Sequence, residues 1–248
     1  VAVYFSVTKK AGGLMRTILD RISGIIYPSL SHLYSENSGQ RFNEFFIKLM
    51  NFIAPVSLML FLVFFLLNKP FVAIWVGEEN YLGDVMTLLI GGSLLLSFVS
   101  NFISYLLSST GDIKFSSNNV FYESLSKVIL LYLLLMILGI EGLPIAIGIV
   151  SLIFTIIYLK RWNTHLIINK TDLIKISKQH IVIVATLVST STILYSILRW
   201  WHIQYTLVNY TLIGISILLV MTASLIISSS TYRSFVISKI KTLKNETS

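Results

Sequence analysis

The sequence predicts an all-α, polytopic membrane protein of about seven transmembrane helices. Three observations carry that prediction. Apolar runs of roughly seventeen residues or more recur along the chain, and each is long enough to cross a bilayer core as a helix. Charged residues make up only 12% of the chain, about half the roughly 25% usual in soluble domains, and mean hydropathy is +0.81. The basic residues also crowd into alternate links between the apolar runs. A β-barrel would instead show alternating segments of roughly ten residues, and none is present. The chain has no cysteine, which removes disulfides, thiolate chemistry and cysteine-bound metal. The net charge of +8 reads as loop charge in a membrane protein rather than as a nucleic-acid footprint.

The first span is expected over residues 1–30, with Pro28 near its end. It is mostly apolar yet carries Lys9, Lys10, Arg16, Asp20 and Arg21. At 100° per residue these five fall within about 140° of one another. Ser6, Gly13, Thr17 and Gly24 share that sector, and Val7, Leu14, Ile18, Ile22 and Ile25 fill the opposite side. A charge at mid-bilayer costs at least ~2.5 kcal/mol on insertion scales, so this face must line a wet cavity or pair internally. Arg16 and Asp20, one helical turn apart, can pair. Residue 1 is Val and already belongs to this helix, which leads to the expectation of a longer protein with an N-terminal part preceding it.

A polar link to about residue 45 precedes the second span, 46–68, which contains Pro55. Proline removes one backbone hydrogen bond and kinks a helix. The link 69–84 contains Trp75 and Tyr81, with Glu78, Glu79 and Asp84 against Lys69. The third span is 85–107, and 108–119 reads as a turn-rich loop. Spans four and five, 120–139 and 143–159, are separated only by residues around Glu141-Gly142 and form a tight hairpin. These five spans make a first unit, 1–160. A basic cytoplasmic loop, 161–179, leads to two additional spans, 180–198 and 206–228, within 180–230. Between them Trp200, Trp201 and Tyr205 fit an interfacial aromatic belt. A basic tail, 231–248, ends the chain.

With that tail in the cytoplasm, eleven bases fall in inner links: Arg41, Lys114, Lys160, Arg161, Lys170, Lys175, Lys178, Arg233, Lys239, Lys241 and Lys244. Only Lys69 and Arg199 fall outside. That asymmetry sets a cytoplasmic C-terminus in a cell membrane.

Other constellations carry less. Glu123 and Lys127 are one turn apart in span four and read as a structural pair ahead of a proton or ion relay. Asn101, Ser97, Ser100 and Ser104 give span three a polar face, suited equally to a cavity or to interhelical hydrogen bonds. His32, His165, His180 and His202 lack metal-ligand spacing. No phosphate-binding glycine motif, cofactor motif or catalytic carboxylate pair is present, so neither enzymatic activity nor a cofactor is expected.

Several stretches resemble the polysaccharide flippases of the multidrug/oligosaccharidyl-lipid/polysaccharide exporter superfamily. They are VAVYFSVTKKAGGL, IIYPSLSHLYSENSGQ, FFIKLMNFIAPVSLMLF, LLNKPFVAIWVGEENYLGD and YLLSSTGDIKFSSNN, in that order. The resemblance covers most of residues 1–160; 161–248 matches only as two further spans. It implies the second half of a fourteen-helix transporter built from two bundles around a central cavity. It also implies that polyprenyl-pyrophosphate-linked oligosaccharide is flipped across the cytoplasmic membrane by alternating access, for surface polysaccharide such as O-antigen, capsule or exopolysaccharide. Lys9, Lys10, Arg16 and Arg21 would then be cavity cations for the substrate. Asp20, Glu123 and Lys127 would set charge or couple ions, H⁺ or Na⁺, and Asn101 and Ser104 would add polar lining. A glycan polymerase and glycosyltransferases would be functional partners. A cation-coupled multidrug exporter of the same superfamily is the alternative, but such sites favour acidic residues. A seven-helix receptor-like protein is a different class. A retinal-type version would need a Schiff-base lysine in span seven, and there is none. A membrane glycan polymerase or transferase would need a larger outer loop.

Overall fold

The computed structural model describes residues 2–36, 39–162, 170–200, 206–229, 232–234 and 237–238. They form seven α-helices: α1 (Ala2–Ser35), α2 (Gly39–Val76), α3 (Asp84–Ser109), α4 (Ile113–Leu138), α5 (Gly142–Trp162), α6 (Lys170–Trp200) and α7 (Leu207–Ser228). Short 3-10 turns, Glu78–Asn80 and Gly139–Glu141, lead into α3 and join α4 to α5.

The helices run further than the apolar runs alone indicate. The stretch 31–45, expected as a link, is almost wholly helical, because α1 continues to Ser35 and α2 begins at Gly39. Pro28 lies inside α1, and both Pro55 and Pro70 lie inside α2. Most of the expected loop 108–119 is the first turns of α4. The turn itself needs only Thr110, Gly111 and Asp112, with Gly111 at φ 84°, a conformation that costs glycine little. Lys170 to Gln179, expected in the basic loop, belongs to α6; residues 163–169 and most of the basic tail, all but 232–234 and 237–238, lie outside the described residues. Polar sequence misleads here because a membrane helix can project well past the hydrocarbon, where charged residues no longer oppose it.

Among the described residues, five helical stretches are long and apolar enough to cross a membrane: Glu44–Val76, Asp84–Ser109, Ile113–Trp162, Gln179–Trp200 and Leu207–Ser228. The third spans both α4 and α5, across the break at Gly139. The first helix does not qualify. Its 34 residues are long enough, but its cluster of charges makes it too polar by composition. The exposed surface supports membrane embedding independently. Ile129, Tyr132, Met136 and Ile137 of α4, Ile149 and Ile153 of α5, Ile181 and Ile193 of α6, and Leu207 and Leu219 of α7 all stand exposed. So many large apolar side chains standing exposed is consistent with contact to lipid.

The third helix packs along α5 and α1, α4 lies against α5, and α6 and α7 pair with each other on α2. One core joins Leu19 and Leu30 of α1 with Phe42, Phe46, Leu49 and Ile53 of α2, Phe98 and Phe102 of α3, and Phe154 and Tyr158 of α5. A second joins Met59, Leu62, Val63 and Leu66 of α2 with Ile183 and Leu187 of α6 and Ile217, Met221 and Leu225 of α7. Thus α2 changes its main buried partners between Ile53 and Met59, across Pro55.

Candidate functional site

The first helix divides its circumference three ways. Tyr4, Thr8, Gly12, Leu19, Ser23 and Leu30 are buried, and by position they fall within about 100°. The charged arc follows directly and is left uncovered. Lys9, Lys10, Thr17, Arg21 and Gly24 are exposed, and Arg16 and Asp20 are half-buried at 33% and 38% of their side chains. Beyond it, Leu14, Ile18 and Ile25 are exposed at 69%, 52% and 76%. The expected apolar side opposite the charges is thus largely an exposed strip, and the buried side lies between that strip and the arc. The packed side instead carries small and hydroxyl residues, because close approach of helices in a bilayer depends on them. Gly12 is such a point: a Cβ there would stand 2.3 Å from Leu94 Cδ1 of α3.

Within the arc, Arg16 Nε lies 3.4 Å from Asp20 Oδ2. Lys9, Lys10 and Arg21 make no ion pair among the described residues, so the arc keeps a positive balance. Thr17, Asp20, Arg21, Gly24 and Ile25 share one open surface of α1 with no other helix over it among the described residues, and a Cβ on Gly13 or Gly24 would meet nothing within 4 Å. The crevice behind Arg16, between α1, α2 and α3, holds only about 30 Å³, room for roughly one water. The crevice is too small for a ligand, and the arc faces outward.

Glu123 and Lys127 take a different place. Glu123 is buried at 3% exposure and bonds Lys127 Nζ at 2.6 Å. Its other oxygen accepts from Ser100 Oγ of α3 at 2.9 Å and from Tyr158 OH of α5 at 3.3 Å. Ser104 is buried with its hydroxyl 2.6 Å from that of Ser116 on α4. Asn101 is half-buried on α3. Glu123 and Ser116 are the buried residues of α4, whose second half, from Val128 on, is apolar and largely exposed. Lipid tails are as apolar as leucine, so hydrophobic burial gives such a helix little reason to dock. These polar contacts hold it in place. At its start, Arg161 Nε of α5 pairs with Asp112 at 2.5 Å and its guanidinium lies over the Phe115 ring.

A second polar cluster was not legible in the sequence. Tyr4 OH lies 2.8 Å from Thr87 Oγ1, and Asn68 Nδ2 donates to both, at 3.2 and 2.9 Å. Tyr81 OH donates to Asp84 Oδ1 at 2.6 Å, and Tyr195 OH of α6 donates to Asp84 Oδ2 at 2.5 Å. Burial, and secondarily the bond to Asp84, pushes the Tyr81 phenol well above its usual range. This knot ties α1, α2, α3 and α6 together at one end of the bundle. The only sequence signal for it was a lone Asn and Thr within or beside apolar runs.

No protein-family model, curated protein or solved structure matches this chain. The resemblance therefore stands on its sequence motifs. The structure carries the broader result, an all-helical fold consistent with a multi-pass membrane protein.

Proposed function

We infer that the chain is one bundle of a two-bundle transporter that flips polyprenyl-pyrophosphate-linked oligosaccharide, and that α1 forms one wall of its central cavity. One observation carries this reading. The first helix packs on one side, yet its fold leaves a cationic arc uncovered beside an apolar strip. Charges on that face are costly against lipid and acceptable against water, so the arc calls for an aqueous space and an opposite wall. A positive wall suits a pyrophosphate and acidic sugars better than a cationic drug. Lys9, Lys10 and Arg21 would attract the anion as unpaired charges. Arg16, oriented by Asp20, would present a planar fork suited to phosphate. Rocking of the two bundles would open this wall to each side in turn.

The test is flipping by the full-length transporter reconstituted in liposomes, using a fluorescent short-chain polyprenyl-pyrophosphate sugar. Replacing Lys9, Lys10 and Arg21 together by Gln should abolish flipping while leaving insertion and thermal stability intact. Wild-type flipping rates in that variant would sink the cavity-wall role.

A further inference from the structure

We propose that Tyr232, beyond the end of α7, is a latch on the Pro55 kink of α2 and holds that kink at one angle. Pro55 supplies no amide for the carbonyl of Asn51, and its ring crowds that carbonyl. A break in the helical ladder is thus built in at this level. One residue further on, the Phe52 carbonyl accepts a hydrogen bond from Tyr232 OH. The Tyr232 ring also stacks on the Phe52 ring, with centroids 5.1 Å apart and 19° between planes. From beyond the proline, Ser57 Oγ donates back to the Ala54 carbonyl at 2.9 Å. Two hydroxyls therefore bond backbone carbonyls within three residues of Pro55.

The chain after α7 is shaped to deliver this contact. Ser229 ends α7 in an extended conformation, its N bonding Leu225 O at 3.0 Å, and Arg233 N bonds Ser229 O at 3.1 Å, which ties the residues around Tyr232 to the helix end. Arg233 Nη2 donates back to Ile227 O at 2.6 Å. Tyr232 is consequently fixed from its own side and only 7% exposed.

The position matters because α2 exchanges its main buried neighbours at this point. Phe42, Phe46, Leu49 and Ile53 belong to the core shared with α1, α3 and α5. Met59, Leu62, Val63 and Leu66 belong to the core shared with α6 and α7. A change of angle at Pro55 would move the α6–α7 pair against the rest of the bundle. Tyr232, carried by the α7 end, spans that joint and sets it. This device does not depend on what is transported.

Because the chain has no native cysteine, spin labels can be placed at Lys48 and Lys69, which bracket Pro55 and not Pro70. The measurement is the inter-label distance distribution in the full chain in nanodiscs. Tyr232→Phe keeps the stacked ring and removes only the hydroxyl. It should broaden the distribution and extend it toward the roughly 30 Å of a straight helix of that length. Pro55→Ala restores the backbone donor, and in that background Tyr232→Phe should have no further effect. A Tyr232→Phe distribution that superimposes on wild type would overturn the latch. So would equal broadening with and without Pro55, which would place the hydroxyl's effect elsewhere than the kink.

Discussion

Removing the Glu123 carboxylate tests what holds α4 to the bundle. Glu123→Ala takes away three contacts at once: Lys127 at 2.6 Å, Ser100 at 2.9 Å and Tyr158 at 3.3 Å. Removing one member of a buried ion pair typically costs about 3–5 kcal/mol, because the other charge is stranded. Lys127 is 21% exposed and its stem can carry the ammonium toward the interface, which lowers that part. Each interhelical hydrogen bond in a membrane contributes about 0.6 kcal/mol, rarely above ~1.7. The expected loss is therefore roughly 2–4 kcal/mol. Glu123→Gln keeps an acceptor for both hydroxyls and should lose less. Combining Glu123→Gln with Lys127→Met removes the stranded cation and should return stability to within about 1 kcal/mol of wild type, as neutral replacement of a buried pair does. Equilibrium unfolding in mixed micelles of increasing denaturing detergent measures all three variants. A loss under about 1 kcal/mol for Glu123→Ala would refute the docking role. A double variant as damaged as Glu123→Ala would show that the charge pair itself, not its completeness, is required.

Other outcomes follow from the packing and the charges. Gly91→Ala places a methyl 2.7 Å from the Phe61 ring and 2.9 Å from the Phe64 ring, and should cost about 1–3 kcal/mol in the same unfolding assay. Gly24→Ala meets nothing and should stay within about 0.5 kcal/mol. Tyr81 has its folded pKa raised by burial and by Asp84. Its contribution is therefore fully present below the unfolded value of about 10 and is lost as pH climbs above it. An alkaline stability profile should show a steeper fall for wild type than for Tyr81→Phe, and parallel curves would refute the assignment. Asp84→Ala should loosen α6 from α3, seen as faster amide exchange around Tyr195. An unchanged exchange rate there would assign the contact no holding role.

The span signal was legible because it is local: length, hydropathy and the scarcity of charge each depend on neighbours in sequence. Helix ends were less legible. Ser31–Ser35 and Lys114–Asn119 are polar enough to read as loop, yet they continue helices whose backbone bonds run on regardless of what the side chains face. The charged arc of α1 was visible from its period, as was the Glu123–Lys127 pair, one turn apart. Its other partners were not, since Ser100 and Tyr158 lie 23 and 35 residues away. Nor was the Asp84–Tyr195 bond, which closes over 111 residues.

The sequence by itself determined that this chain is helical and lipid-compatible, and that its first helix has one face unfit for lipid. Which remaining face of that helix packs was decided only by tertiary structure. Periodicity separates polar from apolar residues, but in a bilayer apolar residues can equally face lipid. Leu14, Ile18 and Ile25 stand exposed, while Tyr4, Thr8, Gly12 and Ser23 turn inward. Without a hydrophobic drive between helices, close packing and satisfied hydrogen bonds choose the buried side. Both depend on what the neighbouring helices offer.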